Sequence, residues 1–165
     1  MIMPKNKIVI AQLIDVAIEN LGEIANEMLF VGGSIVPLLF TSGDTYFRST
    51  RDVDCVIDVE ALVDYYEFTT KLKLIGFKEI SEEDAPICRW HKNDCLIDVI
   101  PTTDIIGFTN SWYHAAFKYP VTYHVKGSMH IKVISAVYFI ATKLEAFNNR
   151  GKNDFLASHD MEDII

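Results

Sequence analysis

The stretch from residue 28 to 59, MLFVGGSIVPLLFTSGDTYFRSTRDVDCVIDV, limits the possible folds most, because one apolar segment ends in two glycines and the next begins with two aspartates. In a strand, side chains two apart share a face, so Asp52, Asp54, Val56 and Asp58 point one way and Val53, Cys55, Ile57 and Val59 the other. The first two carboxylates then meet at one spot, where they repel unless a cation lies between them. Mg²⁺ (or Mn²⁺), which prefers carboxylate and phosphate oxygen, suits that pair. The plainer reading of an isolated acidic pair is an edge strand whose aspartates face water. Asp58 reads as solvation at the strand end.

Upstream, residues 28–31 run into Gly32-Gly33-Ser34. Glycines turn tightly and let a ligand approach the backbone. Ser34 is a suitable N-cap for a helix over 35–40, with Pro37 in its first turn, and free N–H groups there would favour an anion. An ordinary strand-to-helix turn accounts for the same residues.

Size and charge bound what such a site can serve. The chain has 165 residues, half of them hydrophobic, which suits a single compact domain with a sizeable core. A net charge of −8 repels a nucleic-acid backbone over most of the surface and leaves room only for a local basic patch. No apolar run reaches the roughly 18 residues of a membrane span, and no cleavable signal pattern opens the chain, so a soluble cytoplasmic protein with no membrane partner is expected. Cys55, Cys88 and Cys95 read as reduced thiols. Zinc at Cys88, His91 and Cys95 lacks an evident fourth ligand, and a strand pair with buried thiols is preferred.

The remaining pattern alternates helices and strands. Residues 7–25 place Ile10, Leu13, Ile14, Ala17, Ile18, Leu21 and Ile24 at helical spacing, with Asp15, Glu19 and Glu23 on a solvated face. A helix over 61–74 is expected to bury Leu62, Tyr65, Tyr66, Leu72 and Ile75 and to end at Gly76. Short strands follow at 77–80, 87–92 and 95–100, the last two joined by a turn at Lys92-Asn93-Asp94. The last strand carries a lone carboxylate, Asp98, which needs a cation, a hydrogen-bond network or an exposed face. If this strand pairs beside 52–59, Asp98 joins Asp52 and Asp54. Three carboxylates around a metal pair are what nucleotidyl transfer requires, with Asp98 nearest the attacking oxygen and helping to remove its proton.

Gly32-Gly33-Ser34, an R-x-T-x-D-x-D pattern filled by Arg48, Thr50, Asp52 and Asp54, and a later lone Asp98 together resemble the polymerase-beta-type nucleotidyltransferase superfamily over residues 28–101. The resemblance implies a nucleotidyltransferase-like α+β (α/β) fold, a mixed sheet flanked by helices, with a nucleoside triphosphate as substrate and a divalent metal. It implies phosphate at Ser34 within the nucleotide site of Gly32, Gly33 and Arg48, and metal at Asp52, Asp54 and Asp98. The loop between Gly33 and Asp52 is a few residues longer than in compact members, which bears on Arg48 more than on the aspartates.

Residues 102–128 carry Trp112, Tyr113, Phe117, Tyr119 and Tyr123 with His114 and His124. Aromatics can stack on a base; packing of a small subdomain is the preferred reading. A strand over 129–133 and a helix over 136–149 follow, the helix with Val137, Ile140, Ala141, Leu144 and Phe147 as its apolar side. Lys143 and Arg150, seven apart, share roughly one face where two cations could meet a triphosphate, although a helix C-terminus alone explains Arg150. The segment from Ala141 through Arg150 to Ile165 is similar to the AbiEii-type toxin branch of the superfamily. By that likeness Lys143 contacts the triphosphate and Asp160 orients Lys143 or the acceptor, with Asp163 as the other aspartate that fits; helix N-capping explains Ser158, Asp160 and Asp163 equally well.

The expectation is therefore one domain over 1–165, with an N-terminal helix and sheet core over 1–134 and a helical segment over 135–165 that has only begun where such proteins continue. Its expected activity is transfer of a nucleoside monophosphate to an acceptor hydroxyl on tRNA or another RNA, on a small molecule or on a protein. The branch it resembles implies the toxin of a toxin–antitoxin pair, with a cognate antitoxin as partner. The alternatives are a non-catalytic nucleotide-binding or antitoxin-like module on the same fold, and a structural domain whose aspartates only solvate strand ends.

Overall fold

The computed structural model describes residues 5–40, 47–125, 127–151 and 154–165, with side chains from residue 12 onward. The expected loop over 41–50 lies partly outside the described residues, as does the side chain of Ile10.

Helix α1 (Lys5–Leu21) buries Ile14, Ala17, Ile18 and Leu21 along one stripe. It ends earlier than its periodicity suggests, because Gly22 takes a φ of +57° and the chain tightens into a 3₁₀ turn, Gly22–Glu27. Strand β1 (Leu29–Val31) follows and is buried throughout. After it come a 3₁₀ turn, Gly33–Ile35, and the short helix α2 (Val36–Leu39). Strand β2 (Val53–Ile57) leads to helix α3 (Leu62–Leu74), strand β3 (Lys78–Glu79), and strands β4 (Arg89–Lys92) and β5 (Cys95–Pro101). Helix α4 (Tyr113–Lys118), strands β6 (Val121–His124) and β7 (His130–Val133), helix α5 (Ala136–Arg150) and helix α6 (His159–Glu162) complete the chain.

The strands form one mixed sheet in the order β3-β4-β5-β2-β1-β7-β6, flanked by helices. Pairs β2–β5 and β1–β7 are parallel and the others antiparallel. β1 and β2 lie at the centre, covered on both faces, so they read as nearly continuous apolar runs. In the β4–β5 hairpin Asn93 adopts a φ of +51°, a conformation that asparagine tolerates well. Among the described residues of 102–128, α4 contacts β2 and α5, and β6 extends the main sheet beside β7. Among the described residues no helix is long and apolar enough to cross a membrane.

Two helices present a different face from the expected one. On α3 the buried residues are Tyr65, Phe68, Thr69 and Leu72, while Leu62 and Tyr66 are exposed. Spacing of three and four from Tyr65 selects Phe68 and Thr69, and the Tyr65 hydroxyl fixes the rotation by donating to the Val99 carbonyl at 3.0 Å. On α5 the buried residues are Phe139, Thr142, Lys143 and Phe147, whereas Val137 is 75% exposed and Ile140 and Leu144 also face outward. Turning that way buries two phenylalanines and brings Lys143 to two buried aspartates, which the aliphatic face could not neutralise.

Candidate functional site

Register across the sheet builds the site. Asp54 on β2 lies opposite Asp98 on the parallel β5, and Arg89 on the antiparallel β4 lies opposite Asp98 from the other side. Partners in register share a face, so Arg89, Asp98 and Asp54 form one row, with Asp52 two residues before Asp54 on the same face. Arg89 donates from Nε to Asp98 Oδ1 at 2.7 Å and from Nη2 to Asp98 Oδ2 at 2.8 Å. The same Nη2 lies 2.5 Å from Asp52 Oδ2, and the Thr50 hydroxyl donates to Asp52 Oδ1 at 2.9 Å. The hydrogen bonds to Asp98 hold the Arg89 guanidinium above its ordinary pKa. Asp54 accepts no hydrogen bond among the described residues. Burial, then the charges of Asp52 and Asp98, push its carboxyl up to about 7.

The glycine pair closes the row. Gly32 has a φ of +73° and a ψ of −166°, a region essentially restricted to glycine, and a Cβ there would fall 2.0 Å from Asp54 Oδ2. Gly33 packs against the Arg48–Asp163 pair, where a Cβ would lie 3.0 Å from Arg48 Nη2. Ser34 is not the expected N-cap. It lies within the 3₁₀ turn, no side chain caps α2, and Ser34 Oγ is buried with no partner among the described residues.

The C-terminal aspartates gather the other cations. Arg48 donates from Nε to Asp163 Oδ1 at 3.1 Å and from Nη2 to Asp163 Oδ2 at 3.3 Å. Lys143 Nζ lies 2.7 Å from Asp163 Oδ2 and 3.3 Å from Asp160 Oδ1. Arg150 grips Asp160 through Nε and Nη2, both at 2.9 Å. Burial would raise the Asp160 carboxyl, but the hydrogen bond from Arg150 and the Lys143 charge prevail and hold it below the usual carboxylate range. Asp160 and Asp163 thus both contact Lys143. Ser158 caps α6 by accepting from the Met161 N–H at 3.4 Å.

A cleft of about 800 Å³ opens over this assembly. Gly33, Arg48, Asp52, Asp54, Asp98, Lys143, Arg150 and Asp160 line it; Gly32 and Ser34 do not. A second cavity of about 300 Å³ shares Asp54, Lys143, Arg150 and Asp160 with the cleft and is also bordered by Gly32 and Tyr113. Burial, then the Asp54 charge, raises the Tyr113 phenol well above its ordinary pKa. Arg89 is the cationic lining residue that the sequence pattern does not single out. Among the described residues no three His, Cys, Asp or Glu side chains form a ready-made ion cage, and Arg89 bridges Asp52 and Asp98. The three cysteines are buried free thiols; burial raises Cys88 to about 12 and Cys95 to about 11.

No protein-family model matches this chain, and no curated protein matches it. Among solved structures the chain is similar to the crystal structure of JHP933 from Helicobacter pylori, with a TM-score of 0.39 and 11% identity over 87% of this chain. The chain spans 58% of the length of that structure.

Proposed function

We propose that this protein is a metal-dependent nucleotidyltransferase of the polymerase-beta type, moving a nucleoside monophosphate from a nucleoside triphosphate to an acceptor hydroxyl as the α–β phosphoanhydride bond breaks and pyrophosphate leaves. The observation that carries the reading is the in-register pair of Asp54 and Asp98, with Asp52 beside them, at the floor of a cleft that also holds Arg48, Lys143 and Arg150. The donor set is all hard carboxylate oxygen, and Asp54, raised to about 7 by burial and its acidic neighbours, is a group that a cation relieves. Asp52, Asp54 and Asp98 would hold Mg²⁺ or Mn²⁺. Once bound, such an ion neutralises the triphosphate and lowers the pKa of the acceptor hydroxyl.

The chain's own groups divide the remaining work. Asp98 takes the proton from the acceptor hydroxyl, and Gly32, lacking a Cβ, lets the backbone turn close against Asp54. Lys143, Arg150 and Arg48 face the phosphates while Asp160 and Asp163 set their positions. Charge supports a metal requirement. Four basic side chains line the cleft against five aspartates, so a triphosphate of roughly four negative charges finds no net attraction until cations accompany it.

The acceptor proposed first is RNA such as the end of a tRNA, with a small molecule or a protein hydroxyl, including one on this chain, next. The proposed role is that of a cytoplasmic toxin held by a cognate antitoxin. These narrower assignments rest on the resemblance of the segment from Ala141 to Ile165.

Calorimetric titration of each nucleoside triphosphate, with and without Mg²⁺, into the wild type and a D52A/D54A double variant tests the reading. Metal-dependent binding that disappears in the variant is the expected result and names the donor base. Absence of binding in the wild type sinks it.

A further inference from the structure

The proposed reaction needs Asp52 and Asp98 on a metal, yet both are already engaged. Arg89 Nη2 lies 2.5 Å from Asp52 Oδ2 and 2.8 Å from Asp98 Oδ2, so the guanidinium sits between the two carboxylates that an ion would join. Ions of the Mg²⁺ class require oxygens at about 2.0–2.1 Å, which the intervening guanidinium prevents. Among the described residues Arg89 is the basic side chain that contacts Asp52 and Asp98; Arg48, Lys143 and Arg150 pair with Asp160 and Asp163. The backbone of Arg89 is fixed by pairing with Asp98 on β5, and its side chain borders the 800 Å³ cleft. The side chain is therefore the part with room to move.

We propose that Arg89 is an internal counter-ion which divalent metal must displace, so that the site takes up metal together with nucleotide and resists metal alone. The inference rests on the nucleotidyltransferase reading and adds a regulation of the same site. In the metal-free protein the guanidinium neutralises two like charges on one sheet face. A bare ion entering there must break three charge-assisted hydrogen bonds and leave the guanidinium unpaired. A metal–triphosphate brings oxygens that accept from the released guanidinium, so the exchange no longer strands a charge. Coupling of this kind is reciprocal: nucleotide raises metal affinity as much as metal raises nucleotide affinity.

The test is Mn²⁺ binding without nucleotide, followed by electron paramagnetic resonance of the free ion, in the wild type, R89Q and R89K. R89Q is expected to bind bare Mn²⁺ at least about tenfold more tightly than the wild type, with R89K between them, since lysine keeps the charge but loses the planar fork. Equal or weaker binding by R89Q overturns the proposal. A parallel titration of the four nucleoside triphosphates into wild type at saturating Mn²⁺ separates the two failures, because loss of all binding there sinks the parent reading. Should R89Q and R89K not fold, the Arg89 Nε–H resonance of the wild type decides. It is expected to shift on addition of Mg²⁺ with nucleotide and to stay in place with Mg²⁺ alone. An unmoved resonance at saturating metal and nucleotide overturns the proposal.

Discussion

Asp54 and Asp98 face one another across the parallel β2–β5 pair, each the register partner of the other. Like charges directly opposite on adjacent strands destabilise a sheet, and burial adds to the penalty. Arg89 offsets the charge of Asp98 and Asp52, but no hydrogen bond reaches Asp54 among the described residues. The sheet therefore carries one poorly compensated carboxylate at its centre, and this shapes how the protein should respond to pH.

Because the folded pKa of Asp54 is raised from 3.8 to about 7, its proton binds more tightly in the folded state than in the unfolded one. Its contribution to stability is complete below the unfolded value and is lost as pH rises through about 7. Metal-free protein should then melt at progressively lower temperature from pH 5 to pH 8. The D54N variant should lack that slope and be more stable at pH 8 by about 2 kcal/mol. Asp160 does not confuse this window: its lowered pKa gives stability that is lost only as pH falls through the acid range. Mg²⁺ affinity should weaken below pH 7, as protons compete for Asp54. Calorimetric melts over that range, with chelator and with Mg²⁺ plus nucleoside triphosphate, check both slopes; an equal slope in D54N would refute the assignment.

Gly32 offers a steric test of the same carboxylate. Both Gly32 and Gly107 have positive φ, but a Cβ at Gly107 meets nothing within 4 Å, while one at Gly32 meets Asp54. G107A should cost about 1 kcal/mol from backbone strain alone. G32A should cost more than that and also abolish metal-dependent nucleotide binding, because Asp54 has to move. Chemical denaturation gives the first quantity and titration the second. Retained binding in a folded G32A would show that the close approach has no part in the site.

Much of this geometry is legible in the order of the residues, and the exceptions have physical causes. The alternation from Asp52 to Val59 fixes which side chains share a face, and a strand forced to bury Asp98 needs a charged neighbour. The position of Arg89 is legible in principle. Counting outward from the Asn93-Asp94 turn pairs Lys92 with Cys95, and three steps on, Arg89 with Asp98. The rotation of α5 is not legible, because its aliphatic residues outnumber the aromatic ones. Two aspartates more than fifteen residues away decide which side faces inward. Ser34 looks like a cap because serine usually is one. The turn after Gly32 is 3₁₀ instead, and it withdraws the hydroxyl from the helix end.

That withdrawal leaves Ser34 Oγ buried and unpartnered, a state that normally costs 1–3 kcal/mol, by order of magnitude. S34A removes the orphaned hydroxyl and should leave metal-free stability unchanged or slightly raised. Ser34 lies outside the cleft lining, so the same variant should keep its affinity for nucleoside triphosphate at saturating Mg²⁺; an about tenfold loss would instead assign the hydroxyl to phosphate. Melting temperatures with and without nucleotide separate the effects. A destabilised apo variant with unaltered nucleotide affinity would assign Ser34 to the fold.

Lys143 and Asp163 lie 2.7 Å apart, both almost fully buried, so each depends on the other. K143M leaves Asp160 and Asp163 short of a cation and should cost about 3 kcal/mol. Arg48 and Arg150 still hold these carboxylates, but D163N removes one of the two charges that Lys143 neutralises, so the K143M/D163N double variant should be more stable than the sum of the single effects by at least about 1 kcal/mol. Arg150 supplies the contrast, since its side chain is 72% exposed although it grips the same Asp160. R150M should cost no more than about 1 kcal/mol, because solvent screens an exposed partner. Urea midpoints of the four variants close the comparison. Additive effects of K143M and D163N would mean that Lys143 is held by packing against Phe139 and not by the aspartates.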